Sequence, residues 1–168
     1  GTMTLTTITE DQTTNSGQTV ASIIASAGGN RVTDVDSVAV EGIAITATTN
    51  GNGSWEYSTN GGGSWSAVGA VTNTSALLLR DTDLVRFVPN GQSATTGDIT
   101  FRAWDQTGAT AGQQGTKVDT STNGATTAFS SATEVASIIV TAVNDIPIIA
   151  GLDGDLRAYT EGSAAVLL

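Results

Sequence analysis

The feature that most constrains this chain is the recurrence of short β-branched or alternating runs, each closed by Gly, Asn or Asp, with no sustained helical periodicity. Such runs predict strands at residues 5–8, 19–24, 38–46, 55–58, 65–68, 76–79, 84–88, 99–104 and 135–143. That many short strands predict an all-β antiparallel sandwich. Asn50-Gly51-Asn52-Gly53 and Asn60-Gly61-Gly62-Gly63 supply the positive-φ residues of tight turns, with a ribbon between them. Alternation in the strand at 99–104 places Ile99, Phe101 and Ala103 on one face and Thr100, Arg102 and Trp104 on the other. Residues 105–131 hold almost no large apolar side chain besides Val118 and Phe129, so they are expected to form an excursion outside the core. Pro147 lacks an N–H and should end the last strand.

Composition narrows the chemistry. The chain has 168 residues, 16 acidic against 6 basic, and neither His nor Cys. Thiolate and imidazole metal sites, cysteine nucleophiles and Ser-His-Asp triads are thereby excluded, and oxygen chemistry remains. A net charge of -10 argues against nucleic acid, which needs clustered Lys and Arg, and suits a hard cation instead. Hydrophobic residues at 39% with only 13% charged are unlike a disordered polyelectrolyte. The length allows one core and a remnant. The Thr-, Ser-, Gly- and Asn-rich remainder is at home in extracellular all-β proteins. No apolar run approaches the roughly 20 residues of a membrane span, so no membrane insertion is expected. Gly1-Thr2-Met3 reads as an expression scar.

An internal echo divides the chain. Ile8-Thr9-Glu10, followed by Ser16-Gly17-Gln18-Thr19-Val20, is answered by Tyr159-Thr160-Glu161-Gly162-Ser163-Ala164-Ala165-Val166, directly after Pro147. Residues 4–147 are expected to be one repeat, and 148–168 a linker and the truncated first strand of the next. Val166, Leu167 and Leu168 should then be mobile or docked on a neighbour.

Acidic residues cluster where strands end: Glu10 with Asp11, Asp34 with Asp36, Asp105, and Asn144 with Asp145. Each offers oxygen ligands from a loop, and calcium takes six to eight oxygens at about 2.3 to 2.6 Å. Standing alone, a pair such as Asp34-Val35-Asp36 is more often an Asx-turn or helix-cap device than a ligand. The order Thr9-Glu10-Asp11, Thr33-Asp34-Val35-Asp36, Ala103-Trp104-Asp105 and Val143-Asn144-Asp145-Ile146-Pro147 resembles the cadherin-like tandem repeats of large bacterial surface or secreted adhesins of the RTX type. The resemblance covers about residues 5–165, and its closing motif is the most specific part.

This resemblance implies a Greek-key, immunoglobulin- or cadherin-like sandwich, a location outside the cell or on the bacterial surface, and calcium held between consecutive repeats. Glu10, Asp11, Asp34, Asp36, Asp105, Asn144, Asp145 and Glu161 are the ligands it implies. The partners are then neighbouring repeats of the same chain, with a glycan or another cell-surface protein as the target. Ala142 and Thr107 stand where the family pattern carries further acids, which implies weaker binding or fewer ions.

Ser58-Thr59-Asn60-Gly61-Gly62-Gly63-Ser64-Trp65 resembles the Asp-box hairpin, with Asn60 in the Asp place; Asn60 is expected to bind turn amides while Trp65 packs beneath. Trp55 and Tyr57 share a strand face, and core is their default position. The alternative function is a carbohydrate-binding module using exposed Trp55, Tyr57 and Trp65. Arg80, Arg86 and Arg102 are expected to form cross-strand ion pairs with Asp81, Asp83 or Asp98. Carboxylate pairs could do glycosidase chemistry, but no nucleophile motif or paired acid and base is recognisable, so the reading is not an enzyme.

Overall fold

The computed structural model describes residues 2–29, 31–33 and 40–146. Asp34, Asp36, Pro147, Glu161 and the expected second strand at 148–168 lie outside the described residues.

The chain forms β1 (Met3–Thr4), β2 (Ile8–Thr9), β3 (Gln18–Thr19), α1 (Val20–Ala25), β4 (Gly42–Thr49), β5 (Gly53–Ser58), β6 (Ser66–Ala67), β7 (Ala76–Arg80), β8 (Leu84–Pro89), β9 (Thr95–Trp104), β10 (Lys117–Val118) and β11 (Glu134–Thr141). These make a β-sandwich. One sheet runs β1-β11-β9-β4-β7-β10, with β2 also paired to β11; the other runs β3-β8-β5-β6. All pairings are antiparallel except those of β1 and β2, which lie parallel to β11.

Alternation builds the core between the sheets. Ile43 and Ile45 of β4, Leu77 and Leu79 of β7, Ile99 and Phe101 of β9, and Ile138 and Val140 of β11 face Trp55, Val85 and Phe87 of the smaller sheet. The Trp55 and Phe87 rings meet edge to face, 5.1 Å between centroids at 73°, a favoured aromatic geometry.

Two expectations change. Residues 19–24 were expected as a strand, but only Gln18 and Thr19 are extended and Val20–Ala25 is a helix. Thr19 caps it by accepting the Ser22 N–H at 3.2 Å, and Val20, Ile23 and Ile24 bury one face at helical spacing. A short apolar run of this kind fits either period, and packing against the sandwich end decides it.

The second change concerns residues 105–131. Trp104 points away from the main core, as its alternation requires, yet it is fully buried. The excursion folds back over the outer face of the large sheet, and Phe129, Val118 and Ala128 pack with Trp104, Ala44, Ala76 and Leu78 into a second apolar cluster. Gly115 N–H donates to Leu78 O at 2.7 Å, and Leu78 N–H to Thr116 O at 3.0 Å. Only two large apolar residues were visible in the excursion because the sheet supplies most of that cluster.

The ion pairs differ from expectation in their partners. Arg86 joins Glu56 across β5 and β8 at 2.6 Å and stacks on Trp65, 4.0 Å from the ring centroid. Arg80 joins Asp83 within the β7–β8 hairpin at 2.7 Å. Arg102 has no acidic partner among the described residues; its Nη1 donates to the carbonyls of Ser130 and Ser131, tying the returning excursion to β9. Asp98 instead accepts the hydroxyls of Thr49 and Ser137.

Asp83 is almost completely buried and accepts the Arg80 backbone N–H at 2.7 Å besides its guanidinium. These bonds hold the Arg80 guanidinium above its ordinary pKa, against some desolvation. Asp83→Ala is expected to cost about 2 kcal/mol, since it orphans a backbone donor and a half-exposed cation. Urea titration of both chains measures this, and equal midpoints would show that the hairpin does not depend on the carboxylate.

Candidate metal centre at the ends of the sandwich

The strand directions define two ends. Because β1 is parallel to β11, Met3 lies level with Ala136, while Thr9 lies level with Thr141. The chain therefore comes in at one end, here called proximal, and leaves at the other, the distal end. β9 pairs its Phe101 with Glu134 and its Thr95 with Val140. Trp104 thus sits proximally and Thr95 distally.

The distal end gathers Glu10, Asp11, Asn144 and Asp145. The Glu10 backbone N–H donates to Thr141 O at 3.0 Å, continuing the pairing of β2 with β11. Its side chain turns inward, and Oε1 accepts the Val143 N–H at 2.7 Å. Glu10 is only 2% exposed, and its Oε2 is buried with no hydrogen-bond partner among the described residues. A buried carboxylate oxygen left unpaired is costly in water-free surroundings. Asp11, next to it in the chain, and Asn144 and Asp145, which follow Val143, are exposed. Asn144 Nδ2 donates to Asp145 O at 3.2 Å.

Asp105 is not part of this group. It follows Trp104 at the proximal end, and the ten residues of β9 span roughly 30 Å at the usual rise. It is half-buried, and its Oδ1 accepts the N–H and hydroxyl of Thr107 at 2.9 and 2.8 Å. Of the expected ligands that lie among the described residues, Glu10, Asp11, Asn144 and Asp145 therefore fall at one end of the sandwich and Asp105 at the other. Beside Asp105 opens a cavity of about 590 Å³ whose walls include Val32, Thr33, Val40, Glu41 and Phe129, so both flanks of the Asp34-Asp36 segment reach the proximal end. Among the described residues no three of His, Cys, Asp or Glu come together closely enough to hold a metal ion by themselves.

The aromatic hairpin is placed against its use as a sugar platform. Trp55 is 2% exposed in the main core, and its Nε1 donates to Thr49 O at 3.0 Å. The face it shares with Tyr57 is the inner one, and the Tyr57 hydroxyl donates to Gly115 O at 3.1 Å. Trp65 lies under the Arg86 guanidinium. Trp55 takes the core position that was its default, which goes against the alternative of an exposed platform: burying an indole gains more than presenting it, and this chain has few other large side chains for the core.

The turn after Trp55 has the anticipated geometry. Asn60 Oδ1 accepts the Ser64 N–H at 2.9 Å and the Ser58 hydroxyl at 2.8 Å, and the Gly62 N–H reaches Ser58 Oγ at 2.9 Å. Every polar atom of Asn60's side chain is engaged by the turn itself.

Sequence reasoning named Asp83 as an ion-pair partner but not its burial, and expected Arg102 to meet an acid where it binds carbonyls. Asp83 carries a signal in the turn Arg80-Asp81-Thr82-Asp83, but burial of a carboxylate cannot be seen in a sequence. No protein family, curated protein or solved structure matches the chain. The fold and the two ends stand on the chain's own geometry.

Proposed function

We propose that the protein is a non-enzymatic structural repeat of a long bacterial cell-surface or secreted adhesive protein, with calcium fixing the junction between consecutive repeats. The observation that carries this reading is Glu10. One of its oxygens holds the departing backbone at Val143, and the other is buried with no hydrogen-bond partner among the described residues, at the end of the sandwich from which the exposed Asn144 and Asp145 follow. A hard cation would satisfy that oxygen, with Glu10, Asp11, Asn144 and Asp145 as distal ligands.

The two-ended geometry supports the same reading. In a head-to-tail array the distal set of one repeat faces the proximal end of the next, where Asp105 lies. Glu161, the counterpart of Glu10, would then serve the junction one repeat further on. Without a cation, two acidic ends repel; a divalent ion between them makes a stiff joint. The parallel docking of the first strands on β11, and the order β3-β8-β5 opposite β11-β9-β4, support Greek-key, cadherin-like connectivity.

The test is a calcium titration of two consecutive copies, followed by calorimetry and melting. Calcium at about a hundred times its Kd should add about 2.7 kcal/mol, raising Tm by several degrees. Glu10→Gln should abolish the calcium-dependent rise while leaving the calcium-free melt unchanged or higher, because the buried charge is gone. Absence of both heat and Tm shift in the parent chain would overturn the calcium joint.

A further inference from the structure

The chain contains five Asn-Gly pairs, beginning at Asn50, Asn52, Asn60, Asn90 and Asn123. In such a pair the glycine nitrogen can reach the Asn side-chain carbon, because glycine leaves its approach unshielded and its backbone unrestricted. Native structure blocks this wherever it holds the Asn side chain or the glycine N–H in a hydrogen bond.

Four of the pairs are held. Asn60 is caged by Ser58 and Ser64. Asn90 Oδ1 accepts the N–H groups of Gln92 and Ser93 at 3.0 and 3.1 Å. Asn123 Nδ2 donates to Thr120 O and Ser121 O, and the following Gly124 N–H is bound to Phe129 O at 2.7 Å. Asn52 Nδ2 contacts Ala94 O at 3.4 Å, and the following Gly53 N–H donates to Asn50 O at 2.9 Å.

Asn50 differs from all four. It is exposed, its side chain makes no hydrogen bond among the described residues, and neither does the Gly51 N–H. Gly51 also cannot be exchanged for a less reactive neighbour. Its φ is +47°, and a Cβ there would collide with Thr95 Oγ1 and Thr96 O. Gly51 is thus required by the tight turn that carries the chain from β4 to β5.

We infer that Asn50 is a site of spontaneous deamidation in the native protein. The Gly51 nitrogen, giving up its proton, bonds to Asn50 Cγ; the Cγ–Nδ2 bond breaks and the nitrogen leaves as ammonia. Water then opens the resulting five-membered imide. Cleavage at Cγ gives aspartate, and cleavage at the main-chain carbonyl gives isoaspartate, with no change of oxidation state. Either product adds one negative charge to the distal end, since Thr49 pairs there with Asp98 and Asn52 N–H bonds Thr95. Isoaspartate also routes the backbone through an extra methylene in the turn that joins the two sheets.

The test is ageing of the whole native chain in warm, mildly alkaline buffer, with peptide mapping by mass spectrometry and enzymatic isoaspartate labelling. Asn50 should convert about tenfold ahead of the other four pairs, which react only on local opening. In urea the five should converge. Asn50→Gln should remove the dominant acidic product. Asn50 reacting no faster than the others in the native chain, an unchanged ranking in urea, or an undiminished acidic product from Asn50→Gln would each overturn the assignment.

Discussion

Trp104→Ala is expected to lower the unfolding free energy by about 3–5 kcal/mol, the range for removing a large buried aromatic. That is a large share of the roughly 5–15 kcal/mol available to a domain. The indole is fully buried beneath Phe129, Ala44, Ala76 and Leu78, and its Nε1 donates to Thr110 Oγ1 at 2.9 Å. Its loss opens a cavity and frees the hydroxyl that anchors the turn at Gly108–Thr110. The damage should be uneven: amide exchange should accelerate in residues 105–131 while β5 and β8 stay protected until global unfolding. A uniform loss of protection, or a cost below about 1 kcal/mol, would show that the excursion does not rest on this cluster.

Trp55→Ala should cost about as much, again roughly 3–5 kcal/mol, but through the main core. It removes the edge-to-face contact with Phe87 and the bond from Nε1 to Thr49 O, which closes the chain's crossing between sheets. The experiment also decides the carbohydrate-binding alternative. A binding platform predicts lost adhesion to polysaccharide with an unchanged melt; burial predicts a lower melt whether or not polysaccharide is present. Thermal unfolding with and without insoluble polysaccharide separates the two. An unchanged Tm in the variant would overturn the burial argument.

Much of the sandwich was legible because strands announce themselves locally. The alternation of Ile99 and Phe101, the Asn-Gly turns and the β-branched runs each follow from backbone and side-chain sterics within a few residues. Boundaries of β5, β7, β8 and β11 accordingly fall within one or two residues of expectation. Val20–Ala25 was illegible for the opposite reason. Six residues with three apolar positions satisfy either period, and the choice lay in the surface they meet.

The acidic residues show the same division. Their order along the chain pointed to oxygen ligands at strand ends, and Glu10 does meet the chain's exit there, through the Val143 N–H. Yet order could not tell which end of a strand each residue occupies, and the pairing of β9 with β11 sends Asp105 to the opposite end from Glu10.

By itself, then, the sequence determined the all-β character, the turn positions and the exclusion of Cys and His chemistry, because these depend on residue type and local conformation. Tertiary structure alone decided that Trp104 belongs to a second core and that one oxygen of Glu10 is buried without a partner among the described residues. Those are properties of surfaces brought together across dozens of residues, and burial sets their energies.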